Sequence, residues 1–367
     1  MKILFIGITE NDTIRGVERY CLELLRTLST NYSNKISITM LAGKWQTYYN
    51  ELKNLNINFI YYDGKNNKFA RHYFLATKIK KISKNFDIIH YGNTMPILFK
   101  NDALSIVTIH DIAEYFIPDK YSFIQKNYRK LMVKQIANKV DKIITVSKYS
   151  QKSICNVLKI AESKVIPIYS GIEHFFYKNN KIKDNFKYKT ENYFLYWSVI
   201  EKSKGIEETV EAFEKFLDKN ESKNFYLIVI GKPGNAYKYF ESKSLLNKNI
   251  IYKGFVDDDE LISYIKYARA VLFPSKYEGF GFPALEAFIF NDNVITSNTT
   301  SLGEITNCFA WQVNPYDIMD IVEKMQSTIS NPKKFSDKEK KNILSNYNWN
   351  DCSNKVFKVY NELLGEI

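Results

Sequence analysis

Pro274-Ser275-Lys276-Tyr277-Glu278-Gly279-Phe280-Gly281-Phe282-Pro283-Ala284-Leu285-Glu286-Ala287 decides how this chain is read. Ahead of it runs Ala268-Arg269-Ala270-Val271-Leu272-Phe273, a short apolar segment that reads as a buried strand. Behind it, Pro283 reads as a first helical residue, where a missing N–H leaves nothing unsatisfied. The stretch is therefore strand, glycine-bearing loop, helix. Gly279 and Gly281 let the backbone turn tightly and approach a ligand. Amides at the helix start face that loop and suit a phosphate or another anion. Glu278 lies in the loop and Glu286 about one turn into the helix. An acid beside phosphate-binding amides makes sense if it binds hydroxyls, which ribose and hexose offer. The plain structural alternative, glutamates that merely favour a helix N-terminus, needs neither both glycines nor Phe280.

Glu278 and Glu286 are separated by seven residues within S-x-Y-E-G-F-G-F-P-A-L-E-A. This filled pattern resembles the E-x7-E signature of the family-4 glycosyltransferases, retaining enzymes of the GT-B fold, here of the bacterial surface-polysaccharide type. Other segments resemble the same family. Val107-Thr108-Ile109-His110-Asp111 is similar to its V-T-x-H-D segment, and Asp141 to Ser147 to its D-x-I-I-x-V-S segment. Lys204-Gly205 matches its lysine-bearing loop, and Asn293 to Ile305 resembles the strand and turn beyond the E-x7-E stretch. Near the N-terminus, where the family has paired glycines, stands Arg15-Gly16. The glycine usual near Ser198 and the arginine often found near the lysine are missing; Val199 and Ser203 occupy the candidate positions for the latter.

The chain has 367 residues, enough for two domains of ordinary size. Four widely scattered cysteines (Cys21, Cys155, Cys308, Cys352) suggest neither a disulfide framework nor a zinc site. Ile3 to Ile8 is too short for a signal-peptide core and reads as a first strand. No run approaches the ~18–20 apolar residues of a membrane span. The expected location is cytoplasmic. Charge is uneven: residues 1–190 hold 31 Lys+Arg against 15 Asp+Glu, so the first part carries all of the net +12. Lys78, Lys80, Lys81 and Lys84 cluster in a helix read from Tyr73 to Phe86. A second basic region, 122–152, contains Phe123 to Ala137, read as a basic amphipathic helix able to lie on an anionic leaflet. The expected partners are an anionic membrane surface or a lipid-diphosphate acceptor. Nucleic acid is not expected, because no recognition module is visible.

Strand-like runs alternate with helical patterns along the chain, which predicts an α/β protein with two doubly wound sheets. The resemblance makes this GT-B: two Rossmann-like domains facing across a cleft. Residues 1–175 form the acceptor-side domain, 193–345 the nucleotide-sugar domain, and 346–367 a helix crossing back to the first. The polar stretch 174–192 reads as the linker. An N-terminal G-x-G-x-x-G is absent, so a dinucleotide is not indicated.

The resemblance implies a retaining hexosyltransferase. It would move a sugar from a UDP- or GDP-linked donor to a saccharide or polyprenyl-diphosphate-linked acceptor, in O-antigen, capsule or lipopolysaccharide synthesis. Glu278 would hold sugar hydroxyls, His110 would contact the transferred sugar, and Lys204 would bind the donor diphosphate. Glu286 would hold the ribose diol. Gly279, Phe280, Gly281 and Phe282 would line the donor, and Gly254, Phe255 and Val256 would meet the base. Lys202 would stand in for the missing arginine, and Arg15 and Gly16 would face the ligand from the N-terminal loop. No cofactor and no metal are expected. The readings left open are a nucleotide-sugar epimerase on the same fold, and a non-catalytic anion-binding protein on a degenerate scaffold. His90, His72 and His174 carry no motif; the last two read as structural or exposed.

Overall fold

The computed structural model describes residues 1–97, 100, 102–173, 186–219 and 224–366. The chain divides into two compact units. The first is Met1–Gly171 with the residues from Tyr347 onward, and the second is Ile172–Asn346.

In the first unit the strands are β1 (Lys2–Ile6), β2 (Ser37–Gly43), β3 (Ile57–Tyr62), β4 (Ile88–Tyr91), β5 (Leu104–Ile109), β6 (Lys142–Thr145) and β7 (Val165–Pro167). All pair in parallel, in the order β3-β2-β1-β4-β5-β6-β7. The second unit repeats the plan with β8 (Asn192–Trp197), β9 (Phe225–Ile230), β10 (Ile250–Gly254), β11 (Ala270–Phe273), β12 (Val294–Ser297) and β13 (Trp311–Val313). Their order is β10-β9-β8-β11-β12-β13, again parallel. Both are Rossmann-like sheets of the GT-B type. Each reverses direction beside its first strand, between β1 and β4 and between β8 and β11, and open α/β sheets bind ligands at that reversal, beyond the carboxyl ends of the strands.

The sequence dictates this through near-continuous apolar strands, which need helices on both faces. Val271-Leu272 of β11 and Leu227-Ile228-Val229 of β9 are fully buried. The first unit's helices are α1 (Gly16–Asn31), α2 (Lys68–Ile82), α3 (Ala113–Phe116), α4 (Phe123–Lys139) and α5 (Lys148–Leu158). The second unit has α6 (Ile206–Lys219), α7 (Tyr237–Leu246), α8 (Asp258–Tyr267), α9 (Phe282–Phe290), α10 (Thr300–Ile305), α11 (Ile318–Ser330) and α12 (Asp337–Leu344). The last helix, α13 (Trp349–Leu364), packs on the first unit. Its Phe357 stacks on Tyr32 at 3.8 Å, and its Tyr360 hydroxyl meets His90 Nδ1 at 2.6 Å.

Two readings shift. The helix read from Tyr73 begins at Lys68, because Asn67 caps it by accepting from the Ala70 amide at 2.8 Å. The stretch read as a linker is packed where it is described. Phe186 and Tyr188 are buried, and Phe186 lies edge-on to Tyr264 at 4.8 Å. Residues 174–185 of that stretch, with His174, lie outside the described residues. The described cysteines are all free, and no described helix is long and apolar enough to cross a membrane.

Candidate active site

In the second unit, the loops after β8 and β11 meet at the sheet's reversal. The first runs from Ser198 through a short turn, Lys202–Lys204, to Gly205. Gly205 has φ +73°, and a Cβ there would stand 2.1 Å from the Pro274 carbonyl oxygen. Only glycine allows both the left-handed backbone and this approach. The Lys276 amide then donates to Ser203 O at 2.9 Å, so the two loops are tied backbone to backbone.

This contact brings together two residues 74 positions apart. Lys204 Nζ donates to Glu278 Oε1 at 2.7 Å, with both side chains about four-fifths buried. Glu278 is itself held from behind, since Ser301 Oγ donates to its backbone carbonyl at 2.9 Å. Thr300, beside Ser301, sits at φ +58°, a strained conformation for a β-branched residue. A second pair, Lys276 Nζ to Glu208 at 2.6 Å, fastens the β11 loop to α6.

Beyond Glu278, Gly281 caps α9 at φ +112°. The helix begins at Phe282 with Pro283 second, one residue earlier than read. Its start offers fewer donors than expected. Pro283 has no N–H, and the amides of Ala284 and Leu285 return to Gly281 O at 3.1 and 3.5 Å. Lys204 adds a positive charge beside this loop, against Glu278. Phe280 is buried and lies 4.9 Å from Phe282, which fixes the turn around Gly279. Glu286 is buried on α9.

The other donor-side candidates continue along the same sheet edge. Ser198 N donates to Ile230 O at 3.1 Å, Ile200 N to Lys232 O at 3.0 Å, and Gly231 N to Gly254 O at 2.9 Å. These bonds join the ends of β8, β9 and β10 into one rim carrying Gly254, Phe255 and Val256. Gly254 has φ +66°, Phe255 is exposed, and Lys232 Nζ lies 5.7 Å from its ring centroid. Lys202 is half-exposed and points to Glu207 at 3.9 Å, while its amide donates to Asn235 Oδ1 at 2.9 Å.

In the first unit, His110 follows β5. Its Nε2–H donates to the Gly92 carbonyl at 3.1 Å, and Tyr20 stands edge-on at 4.8 Å. Burial lowers its pKa, so the neutral ring keeps Nδ1 as an acceptor. Arg15 and Gly16 are exposed at the start of α1. Arg15 N donates to Glu18 Oε2 at 3.2 Å, and nothing stands within 4 Å of where a Gly16 Cβ would be.

Sequence reading missed a second group. Lys68, Arg71, His72, Glu114 and Arg129 line a cavity of about 550 Å³ in the first unit. His72, read as structural or exposed, is half-buried there against the Tyr128 hydroxyl, and burial pushes its pKa down to about 4. The available signal was Glu114, three residues past the His-Asp pair. Among the described residues, no cluster of three or more His, Cys, Asp or Glu side chains is placed to hold a metal ion.

Residues 178–348 match the family of glycosyl transferases group 1, and residues 14–174 match Glycosyltransferase Family 4. An uncharacterized glycosyltransferase of Methanocaldococcus jannaschii is 28% identical over 242 residues, 61% of each chain. The serotype-specific mannosyltransferase WbdA of Escherichia coli is 27% identical over 62% of this chain and 29% of its own length. The match thus spans less than two thirds of either relative. The O-antigen chain mannosyltransferase RfbU of Salmonella typhimurium is 28% identical over 72% of this chain and 70% of its own. Among solved structures, sucrose-phosphate synthase from Thermosynechococcus elongatus superposes with a TM-score of 0.73 at 16% identity, covering 100% of both chains. This chain is accordingly a relative of the group 1 and family 4 glycosyltransferases and of bacterial surface-polysaccharide glycosyltransferases, built on a GT-B type of fold.

Proposed function

We propose that the chain is a retaining, metal-independent glycosyltransferase. It moves a hexose from a UDP- or GDP-sugar to a saccharide or lipid-linked saccharide during assembly of a cell-surface polysaccharide. The observation that carries this reading is the Lys204–Glu278 pair at 2.7 Å, on the two loops that flank the reversal of the second sheet. A glycosyl phosphate presents its anion and its first hydroxyls side by side. An ammonium beside a carboxylate suits that junction. Lys204 stabilises the diphosphate as negative charge develops on the departing oxygen, a preorganised electrostatic role. Glu278 accepts from sugar hydroxyls and orients the anomeric carbon. Glu286 takes the ribose diol, and the rim at Gly254, Phe255 and Val256 takes the base. For His110 the proposed role is contact with the transferred sugar through a neutral ring. The relatives' roles in O-antigen and serotype-specific mannosyl transfer support a surface-polysaccharide product.

The acceptor is expected at the inner face of the cytoplasmic membrane. Supporting this, α4 exposes Phe123 and Ile124 at 80% each and Leu131 at 52%, interleaved with Lys126, Lys130 and Lys134. On α2, Phe69 and Tyr73 are exposed on either side of His72, which stacks on Tyr128 of α4. Apolar side chains flanked by lysines are what an anionic leaflet binds.

The test is thermal unfolding with UDP, GDP and ADP, on the wild type and Lys204→Ala. A ligand that binds only the folded chain raises the midpoint by mass action. One nucleotide should stabilise the wild type, and the substitution should remove most of the shift. The same midpoint with every nucleotide, far above millimolar concentration, would favour the degenerate-scaffold alternative.

A further inference from the structure

The first unit holds a cavity of about 550 Å³, within the size range of small-molecule sites. It lies beyond the carboxyl ends of β1 and β4, where that sheet reverses. Glu114 is 1% exposed and faces this cavity, yet neither of its carboxyl oxygens accepts a hydrogen bond. Arg129 Nε stands 3.7 Å from Oε2, too far to donate well, and itself lacks a hydrogen-bond partner. A buried carboxylate without donors is costly, and one that persists calls for an explanation. Burial also raises the pKa of Glu114. Its geometry is that of an acceptor awaiting a donor from the cavity.

The cations on the wall are held differently from surface lysines. Lys68 Nζ lies 4.1 Å from the Tyr128 ring centroid, and the Arg129 guanidinium 4.5 Å from that of Tyr121. Arg71 is buried, 3.4 Å from the exposed carboxylate of Glu10. Aromatic faces, the Asn66 amide oxygen and the exposed Glu10 carboxylate position Lys68 and Arg71, and Arg129 lies between the Tyr121 ring and Glu114 at 3.7 Å. Glu18, the remaining acid of the wall, is occupied by Asn11 Nδ2 at 2.8 Å and Arg15 N at 3.2 Å.

We infer that this cavity binds a sugar ring bearing one anionic substituent, a phosphate or a carboxylate. Glu114 accepts from a ring hydroxyl, while Lys68, Arg71 and Arg129 hold the anion. Naming this ligand as part of the acceptor rests on the glycosyltransferase reading; the chemistry of the cavity does not. Binding measured without any donor keeps the two apart.

The experiment is isothermal titration of the full chain with glucose 1-phosphate, glucuronate, glucose and inorganic phosphate. The wild type, Glu114→Gln, Arg129→Met and Lys204→Ala are compared. Glucose 1-phosphate, glucuronate or both should bind at least about tenfold more tightly than glucose or phosphate alone. Preference between the two distinguishes a phosphate-linked unit from a uronic acid. Glu114→Gln should weaken that binding by about tenfold or more, the size of a hydrogen bond to a charged group. The same variant should unfold no earlier than the wild type, because it removes a buried charge. Arg129→Met should bring the charged sugar toward the affinity of glucose. Lys204→Ala should leave the glucuronate titration unchanged, whereas glucose 1-phosphate, itself a glycosyl phosphate, also suits the Lys204–Glu278 pair and should keep its Glu114-dependent part. Equal affinity for the four probes, no binding at millimolar concentration, or loss in Lys204→Ala with retention in Glu114→Gln would each overturn the proposal.

Discussion

Gly205 and Gly365 share nearly the same backbone conformation, φ +73° and +72°, in opposite surroundings. At Gly205 an added Cβ meets the Pro274 carbonyl oxygen at 2.1 Å; at Gly365 it meets nothing within 4 Å. Substituting alanine at each therefore separates two costs. Left-handed backbone alone should cost about 1–2 kcal/mol for alanine. That is all Gly365→Ala should show, and less if the end of α13 frays. Gly205→Ala adds a backbone collision that cannot be relieved by turning a side chain. It must push apart the loops carrying Lys204 and Glu278, at an overpacking cost of about 1–3 kcal/mol more. Hydrogen exchange read peptide by peptide suits a chain of two units, whose unfolding need not be two-state. Peptides of β8 and β11 should lose about 2–5 kcal/mol of protection in Gly205→Ala. In Gly365→Ala they should be unaffected, with the loss confined to α13 and its contacts. Nucleotide affinity should fall only in the first variant. Equal losses in the two variants, or an undisturbed donor site in Gly205→Ala, would refute the claim that contact between these loops builds the site.

Acid should destabilise the first unit through His90. It is buried between the Tyr360 hydroxyl at 2.6 Å and Thr108 Oγ1 at 2.9 Å, and burial pushes its pKa down to about 3. The unfolded chain takes up a proton near the ordinary histidine value, so stability is intact above about pH 6.5 and falls as pH drops toward 3. The loss should be about 2 kcal/mol at pH 5. His90→Phe should be less stable throughout but shallower in slope by about 1.4 kcal/mol per pH unit between pH 6 and 4; an unchanged slope would exclude His90 as the source. For the membrane reading, Phe123→Ser with Ile124→Ser should reduce sedimentation with vesicles containing anionic lipid at low salt, and added salt should do the same. Equal sedimentation of wild type and variant would remove these residues from the contact.

The fold was legible because its signals are local. Apolar strands such as Val271-Leu272-Phe273, a glycine-bearing turn and a following proline can each be read within a dozen residues. The helix boundary at Lys68 was missed because the cap, Asn67, lies in a polar run that gives no apolar period. Within the candidate site, the strand, glycine-bearing turn and helix of the 274–287 stretch could be read directly from the sequence. The pairing of Lys204 with Glu278 could not, since it depends on how closely two loops approach, and one glycine with a positive φ sets that distance. The scarcity of donors at the start of α9 follows from where the amides of Ala284 and Leu285 point, which residue types do not specify. Glu114 was the least visible. A glutamate in a short helix reads as solvated until the structure shows it buried and unsatisfied, facing a cavity. The packing of Phe186 and Tyr188 was obscured by the Lys/Asn-rich residues around them.

The central claim is tested most directly by following a nucleotide-sugar by NMR as the purified chain turns it over slowly, with water in place of the acceptor. UDP- and GDP-hexoses are tried in turn. The account predicts release of one nucleoside diphosphate and a first-formed sugar with the same anomeric configuration as the donor. Lys204→Met should slow this by about 10²–10³-fold, the loss expected when one preorganised charge at the leaving group is removed. A first-formed sugar of inverted configuration, an epimerised donor with no nucleotide released, or an undiminished rate in Lys204→Met would contradict it.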